Sequence, residues 1–192
     1  MTTGHRSGKL VRTTYMIEDP VLRQRLDFER TTDEDGSEVL HVKMWVDPGG
    51  GVPPLIHPSV EERFEVLEGN PSFLAGRRWQ TASPGETVVV PPGVRHAYRN
   101  RSEGTAHVIC HARPPSTLQE FLEETAALGR AGKLTRRGAL PKSFGALLEG
   151  VAMAERHRDM AILLFPPFPP PPIQRLIFPA LVRLAERRAA RA

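Results

Sequence analysis

The sequence has almost no cysteine. Cys110 is the single cysteine among 192 residues. A disulfide within the chain and a zinc ribbon, which needs several cysteines, are therefore excluded. The first ten residues, MTTGHRSGKL, also lack the apolar core of a signal peptide. We therefore expect a cytoplasmic protein.

The sequence also lacks a basic run with aromatic residues between the charges. The formal net charge is +4, but basic and acidic residues are scattered along the whole chain. Binding to single-stranded nucleic acid combines clustered positive charge with aromatic stacking platforms. We therefore expect no nucleic-acid partner.

No long apolar run is free of proline. Residues 160–182 are apolar for most of their length, but prolines interrupt them too often for a membrane-spanning helix. The last predicted helix carries Leu176, Ile177, Leu181 and Leu184 beside arginines, a pattern that helices lying on anionic membranes share. Such a stripe more often packs on its own domain or on a dimer partner, so we expect no membrane partner.

What the sequence has in quantity is turn residues, with 19 prolines and 16 glycines. Between them, short segments of alternating polar and apolar residues run from residue 10 to residue 115. They predict an antiparallel sandwich or barrel. The Gly- and Pro-rich residues 47–54 are predicted to form a loop, and residues 88–90 a buried strand.

Residues 116–192 have a different character and predict a helical extension. Ser116 and Gln119 have the spacing of a capping box at the start of a first helix. Residues 141–164 predict a second helix, and the Pro-rich residues 165–172 an extended connector. A final helix follows, kinked or started late by Pro179.

Two stretches carry the residues that could perform chemistry. In the first, Leu55 and His57 are two residues apart and share one side of a strand, while Glu62 shares a face with Phe64 on the next strand. The second stretch, GETVVVPPGVRHAYRN, has the pattern G-x5-P-x-G-x2-H-x3-N. Its fixed residues are Gly85, Pro91, Gly93, His96 and Asn100, and Tyr98 shares a face with His96. If these faces are interior, Leu55, His57, Glu62 and His96 all point inward.

These two stretches resemble the two motifs of the cupin family. The second motif matches at all five fixed positions. The first, G-x5-H-x-H-x3–4-E-x6-G, matches at Gly49, His57, Glu62 and Gly69 but has Leu55 where the family usually has a histidine. The resemblance implies a mainly β protein, with a cupin double-stranded β-helix (jelly-roll) barrel over residues 10–115 and a C-terminal α-helical extension over 116–192. It also implies a homodimer.

The resemblance further implies a metal ion inside the barrel, held by three histidines and a glutamate. Carried over to this sequence, the ligands are His57, Glu62 and His96, because Leu55 cannot bind a metal. Two histidines and one carboxylate suit Fe(II), and manganese, zinc or nickel would also accept them. An ionised Glu62 buried without a cation would be costly, which favours an ion or a paired histidinium. Leu55, Phe64 and Tyr98 would line the pocket.

The leading hypothesis is thus a metal-dependent enzyme, of dioxygenase or isomerase type, that acts on a small organic molecule. Its catalytic residues are not assigned. The alternative is a non-catalytic protein that has lost its metal with Leu55 and binds an apolar ligand, with His57 and His96 as hydrogen-bond donors or an acid–base pair. Weaker readings are a scaffold with vestigial residues and a peripheral membrane protein anchored by residues 173–192. A cupin transcription factor is disfavoured, since no N-terminal helix-turn-helix pattern is seen.

Five further side chains could supply a fourth ligand, although each alone is more often a packing or surface residue. They are His41, Trp45, His107, Cys110 and His111, on strands whose inward face the sequence does not settle.

Overall fold

The computed structural model describes residues 11–12, 16–135 and 139–190. Residues 1–10 lie outside the described residues. They include the segment in which no signal peptide is predicted and the first residue of the predicted barrel. The described part contains twelve strands and three helices. In chain order they are β1 (Val11–Arg12), β2 (Ile17–Asp19), β3 (Gln24–Thr32), β4 (Glu38–Val46), β5 (Gly51–Ile56), β6 (Glu61–Glu68), β7 (Ser72–Ala75), β8 (Arg78–Thr81), β9 (Thr87–Val90), β10 (Arg95–Arg99), β11 (Ala106–Arg113), α1 (Leu118–Arg130), α2 (Phe144–Arg156), β12 (Ile162–Leu163) and α3 (Pro171–Ala189).

The larger of two antiparallel sheets has the strand order β1-β3-β4-β11-β6-β9, with β2 paired to β3. Its strands alternate as the sequence predicts. In β4, every second side chain from Leu40 to Val46 is buried, and the side chains between them are half-buried. In β11, Cys110 pairs with Val42 on one side and Phe64 on the other. One face of this sheet therefore forms half of the core.

The smaller sheet has the order β12-β5-β10-β7-β8. Its strand β5 corrects the prediction of a loop over 47–54, because residues 51–54 are part of β5. Pro53 and Pro54 fit there, since the fixed φ of proline is compatible with extended backbone. Along most of its length β5 has only β10 beside it, and the carbonyl of Pro54 still accepts a hydrogen bond from Leu164 N.

The core lies between the two sheets, where their inward side chains form one continuous cluster. Residues 88–90 form a strand as predicted, but the strand is not buried on both faces. Val88 and Val90 are buried, but Val89 is 39% exposed, because β9 is an edge strand whose side chains alternate between core and solvent.

Helix α1 starts differently from the predicted capping box. Thr117 is the N-cap residue and makes no side-chain capping bond. Ser116 has a φ of +47° and lies in the preceding turn. Gln119 therefore falls inside the first helical turn, where its amide bonds Arg30 and Glu123 instead.

Helix α2 is shorter than the predicted helix over 141–164. It begins after Ser143, whose hydroxyl accepts a hydrogen bond from Ala146 N, and ends at Arg156. Residues 162–163 form β12, which extends the smaller sheet by pairing with β5. The sequence does not distinguish helix from strand here, because short apolar runs are compatible with both.

Helix α3 packs against α2. It begins at Pro171, so the last two residues of the predicted connector are helical. The helix continues through Pro179 rather than starting after it. Most of the predicted stripe lies away from the core, since Leu176 is 79% exposed and Leu184 39%, while Leu181 is partly buried against the core. Phe178 is buried instead. No helix in the described ranges combines the length and apolar character needed to cross a bilayer.

Candidate metal centre

The fold brings together the three side chains that the sequence predicts as ligands. His57 follows β5, Glu62 lies on β6, and His96 lies on β10, so both sheets contribute. All three are buried, and one potential ligand atom from each lies within 4.8 Å of the others. Nε2 of His96 is 2.9 Å from Glu62 Oε2, and Nε2 of His57 is 3.5 Å from Glu62 Oε1.

Backbone carbonyls hold both imidazole rings in place. His57 Nδ1 lies 2.8 Å from the Met160 carbonyl oxygen, and His96 Nδ1 lies 3.0 Å from that of Val94. A carbonyl oxygen can only accept, so each Nδ1 carries the hydrogen and each neutral ring presents Nε2 as an acceptor. Two acceptor nitrogens thus face one carboxylate, an arrangement that needs a cation, either a proton or a metal ion.

The pKa shifts at the site also indicate that a cation is needed beside Glu62. Burial by itself would raise the pKa of Glu62, but the charges and hydrogen-bonding contacts of His57 and His96 overcome it and hold that pKa far below its usual range. Burial would likewise lower the pKa of His57, yet the Glu62 carboxylate raises it. Glu62 is thus ionised, and a proton on His57 can take the place of a metal ion.

One carboxylate oxygen of Glu62 lacks a hydrogen-bond donor among the described residues. Glu62 Oε2 makes no directed hydrogen bond to any residue that the structure describes, although His96 Nε2 is close to it. A buried carboxylate oxygen without a directed donor is expensive. With two imidazole nitrogens beside it, this atom completes a donor set that fits a divalent metal ion.

The predicted pocket residues lie around this centre. Leu55 pairs with His96 across β5 and β10, and its side chain is buried. Leu55, Phe64 and Tyr98 all border the cavity that contains the three polar groups. Burial and the nearby charge of Glu62 raise the pKa of Tyr98 well above its ordinary value, and its hydroxyl donates to Gln24 Oε1.

Of the five side chains left open as a fourth ligand, Cys110 is the one at the centre. Its Sγ lies 3.6 Å from Glu62 Oε1. Burial, followed by the charge of Glu62, raises the pKa of this thiol well above its ordinary value, so it stays protonated. Its alternation with Val108 and Ala112 is the sequence signal that could have placed it inside.

The other four lie on the opposite face of the larger sheet. The Nδ1 atoms of His41 and His111 are 2.8 Å apart, and Trp45 stacks on His107 with ring centroids 4.7 Å apart. In the alternating strands β4 and β11, this face is turned away from Val42 and Val108. None of these four can be a fourth ligand of the same ion.

The cavity beside the three groups has a volume of about 90 Å³ and is bordered by both parts of the chain. The barrel contributes the metal-ligand candidates and their apolar neighbours. The C-terminal extension contributes side chains from α1, α2 and the connector. No local pattern in the sequence indicates this contribution, because it depends on contacts between residues far apart in the chain.

Comparison with known proteins gives a family for the barrel. Residues 42–112 match the family model described as Cupin domain. The match lies within the span from β4 to β11, where both motifs and all three candidate ligands occur. It confirms the predicted cupin jelly roll. None of the curated proteins matches the chain.

Solved structures with a similar fold share little sequence with this chain. Peruvianin-I, a cysteine peptidase from Thevetia peruviana latex, is 18% identical, with a TM-score of 0.37 over 40% of this chain and 50% of its own. KdgF from Halomonas sp. is 19% identical, with a TM-score of 0.41 over 46% and 78%. An RmlC-like cupin from Shewanella frigidimarina is 19% identical, with a TM-score of 0.45 over 53% and 85%. The chain thus spans half of the first of these proteins and more of the other two, and nothing about its function follows from them.

Proposed function

Since this chain is a protein of the cupin superfamily, we propose that it is a metal-dependent enzyme in which His57, Glu62 and His96 hold a divalent ion. A small organic molecule would be transformed in the cavity beside it, by a reaction of dioxygenase or isomerase type. One observation carries the proposal. Two imidazole acceptors, each oriented by a backbone carbonyl, converge on one buried carboxylate.

The residues of the chain have separate tasks in this proposal. The Met160 and Val94 carbonyls fix the tautomers of His57 and His96, so that both Nε2 atoms face the centre. Leu55 offers no donor atom, which leaves that side of the centre open to a substrate. The apolar wall excludes water and thereby strengthens electrostatic interactions within the site. When bound, a divalent ion supplies polarisation of a substrate oxygen or, as Fe(II), activation of O2.

Fe(II) is the ion we propose first, because two histidines and one carboxylate are the ligand set of non-haem Fe(II) oxygenases. Manganese, zinc and nickel are the other candidates. A cytoplasmic location and a homodimer belong to the same proposal, drawn from the sequence and from the resemblance to cupins.

A second candidate function is non-catalytic binding of a small molecule in a metal-free barrel. Leu55 favours it, because this side chain takes the position of a family ligand. In that case a proton on His57 balances the charge of Glu62, and protonated His57 and neutral His96 act on the ligand as an acid–base pair. The two candidates differ in whether the centre takes up an ion.

Titration of the chelator-stripped full-length protein with Co²⁺, followed by visible absorption, tests the proposal. We expect ligand-field bands that saturate near one ion per chain in the wild type. His96→Gln should bind Co²⁺ at least tenfold more weakly, while His111→Gln, on the opposite face of the sheet, serves as the control and should titrate like the wild type. Absence of the bands in the wild type, or equal loss in both variants, would favour the metal-free candidate.

A further inference from the structure

The cavity beside the proposed metal centre is apolar on every side except one. Its walls outside the barrel come from the C-terminal extension, namely from α1, α2, β12, the connector and the chain between α1 and α2. The apolar side chains among them include Leu118, Phe121 and Leu122 of α1, Met153 of α2, and Phe165 and Phe168 of the connector. A wall of this composition favours a hydrocarbon surface over water.

The two hydroxyl groups that border the cavity are already bonded within the protein. The Thr125 hydroxyl donates to the Phe121 carbonyl at 2.8 Å. The Tyr98 hydroxyl donates to Gln24. The polar side chains left for a ligand are therefore the clustered His57, Glu62 and His96.

Gly150 keeps part of this space open. It lies inside α2, borders the cavity and is buried. A Cβ built on it would meet no atom within 4 Å. Glycine inside a helix costs about 1 kcal/mol of stability relative to alanine. Neither close packing nor a left-handed backbone requires glycine at this position. We therefore infer that the missing side chain serves to enlarge the cavity.

From these three observations we propose that the ligand has an apolar body and one oxygen-bearing head. The body lies between the barrel and the helical extension, against α1, α2 and the connector. The head lies at His57, Glu62 and His96, and this placement rests on the proposed function. The cavity of about 90 Å³ is smaller than the roughly 150 Å³ cavity that holds benzene, so the body contains fewer than six carbons, about three to five.

Isothermal titration of the full-length protein with straight-chain carboxylates, from acetate to octanoate, tests the proposal. The series is measured with Co²⁺-loaded and with metal-free protein. In the loaded protein we expect Kd to fall about threefold to fourfold for each added methylene, up to about six carbons, and to stop falling beyond that.

Matched glycine variants locate the binding. Gly150→Leu fills the open space and should weaken hexanoate binding at least tenfold, with Co²⁺ uptake unchanged. Gly145→Leu makes the same change in the same helix, at a residue that does not border the cavity, and should bind like the wild type. Gly150→Ala adds only a methyl group and should weaken hexanoate about threefold, which provides a variant if leucine prevents folding.

The outcomes separate this inference from the proposed function. A Kd that does not change with chain length, or equal binding by the Gly150→Leu and Gly145→Leu variants, would overturn the inference whether or not Co²⁺ is taken up. A gain with chain length that is lost in Gly150→Leu supports the apolar site. If the same gain occurs although the protein takes up no Co²⁺, the apolar site stands and the proposed function fails.

Discussion

Asn100 joins several segments of backbone through one fully buried side chain. Its amide nitrogen donates to the carbonyls of Val46 and Gly104 at 2.8 and 2.7 Å. Its Oδ1 accepts from the backbone N–H and the hydroxyl of Ser102. The last fixed residue of the second motif therefore serves to hold the barrel together rather than to contact a ligand.

We expect Asn100→Ala to lower the free energy of unfolding by about 3 kcal/mol, because it leaves buried carbonyl and N–H groups without partners. Urea denaturation followed by circular dichroism measures this. Asn70→Ala, at an exposed asparagine, is the control and should change stability by less than about 0.5 kcal/mol. Equal stability of the two variants would mean that the bonds of Asn100 contribute nothing net.

At the level of single residues, the sequence predicts the centre because spacing and strand parity are local properties. His57 and Glu62 lie at family spacing around a turn, and His96 starts the strand that returns beside them. The carbonyl of Met160, which orients His57, could not be predicted. It belongs to a residue 103 positions away in the chain. Every residue has a backbone carbonyl, so the residue type at position 160 does not indicate this contact.

The helices of the extension differ in how they begin, and this gives a prediction for α1 and α2. Ser143→Ala removes the hydroxyl that accepts from Ala146 N and should cost about 1 kcal/mol of stability. Ser116→Ala is the matched change at the predicted capping residue, which lies outside the helix. Thermal unfolding should show a smaller effect for Ser116→Ala. An equal loss would indicate that Ser116 also caps α1.

Helix α3 is held by one buried aromatic side chain more than by its exposed leucines. Phe178 is 3% exposed, and its ring lies 6.1 Å from that of Phe168, centroid to centroid. Gln174 donates to the carbonyls of Leu163 and Pro169. These contacts dock the helix on the connector and on β12.

Phe178→Ala should therefore destabilise the protein by about 3–5 kcal/mol, the usual cost of removing a buried aromatic ring. Leu176→Ala lies in the same helix and should cost less than about 0.5 kcal/mol, since its side chain is mostly exposed. Chemical denaturation of both variants checks the difference. A larger effect for Leu176→Ala would contradict the packing described for α3.

At the level of elements, alternating strands were predictable and the proline-containing ones were not. The period of two in β4 and β6 divides their side chains between two faces, and the structure shows the same alternation of burial. In β5, two prolines led to the prediction of a loop, because proline is uncommon inside strands. In α3, most of the stripe predicted from periodicity is exposed, since which face of an amphipathic helix docks depends on its neighbours.

Across the whole molecule, the barrel and the extension share one site. The extension supplies β12 beside β5, the carbonyl that holds His57, and the apolar side of the cavity. The division of the chain between residues 115 and 116 stays a prediction, but these contacts cross it. The sequence predicted the mainly β fold from its motifs, whereas contacts between distant segments required the structure.

Elemental analysis of the full-length protein, purified without an affinity tag, tests the central claim most directly. We predict about one divalent ion, foremost iron, per chain in the wild type. The Glu62→Gln variant should lose it, because it removes the negative charge that balances the ion, while Glu65→Gln, on the same strand, should keep it. Absence of metal from the wild type, even after anaerobic incubation with Fe(II), would contradict the account and leave a barrel in which a proton takes the place of the ion.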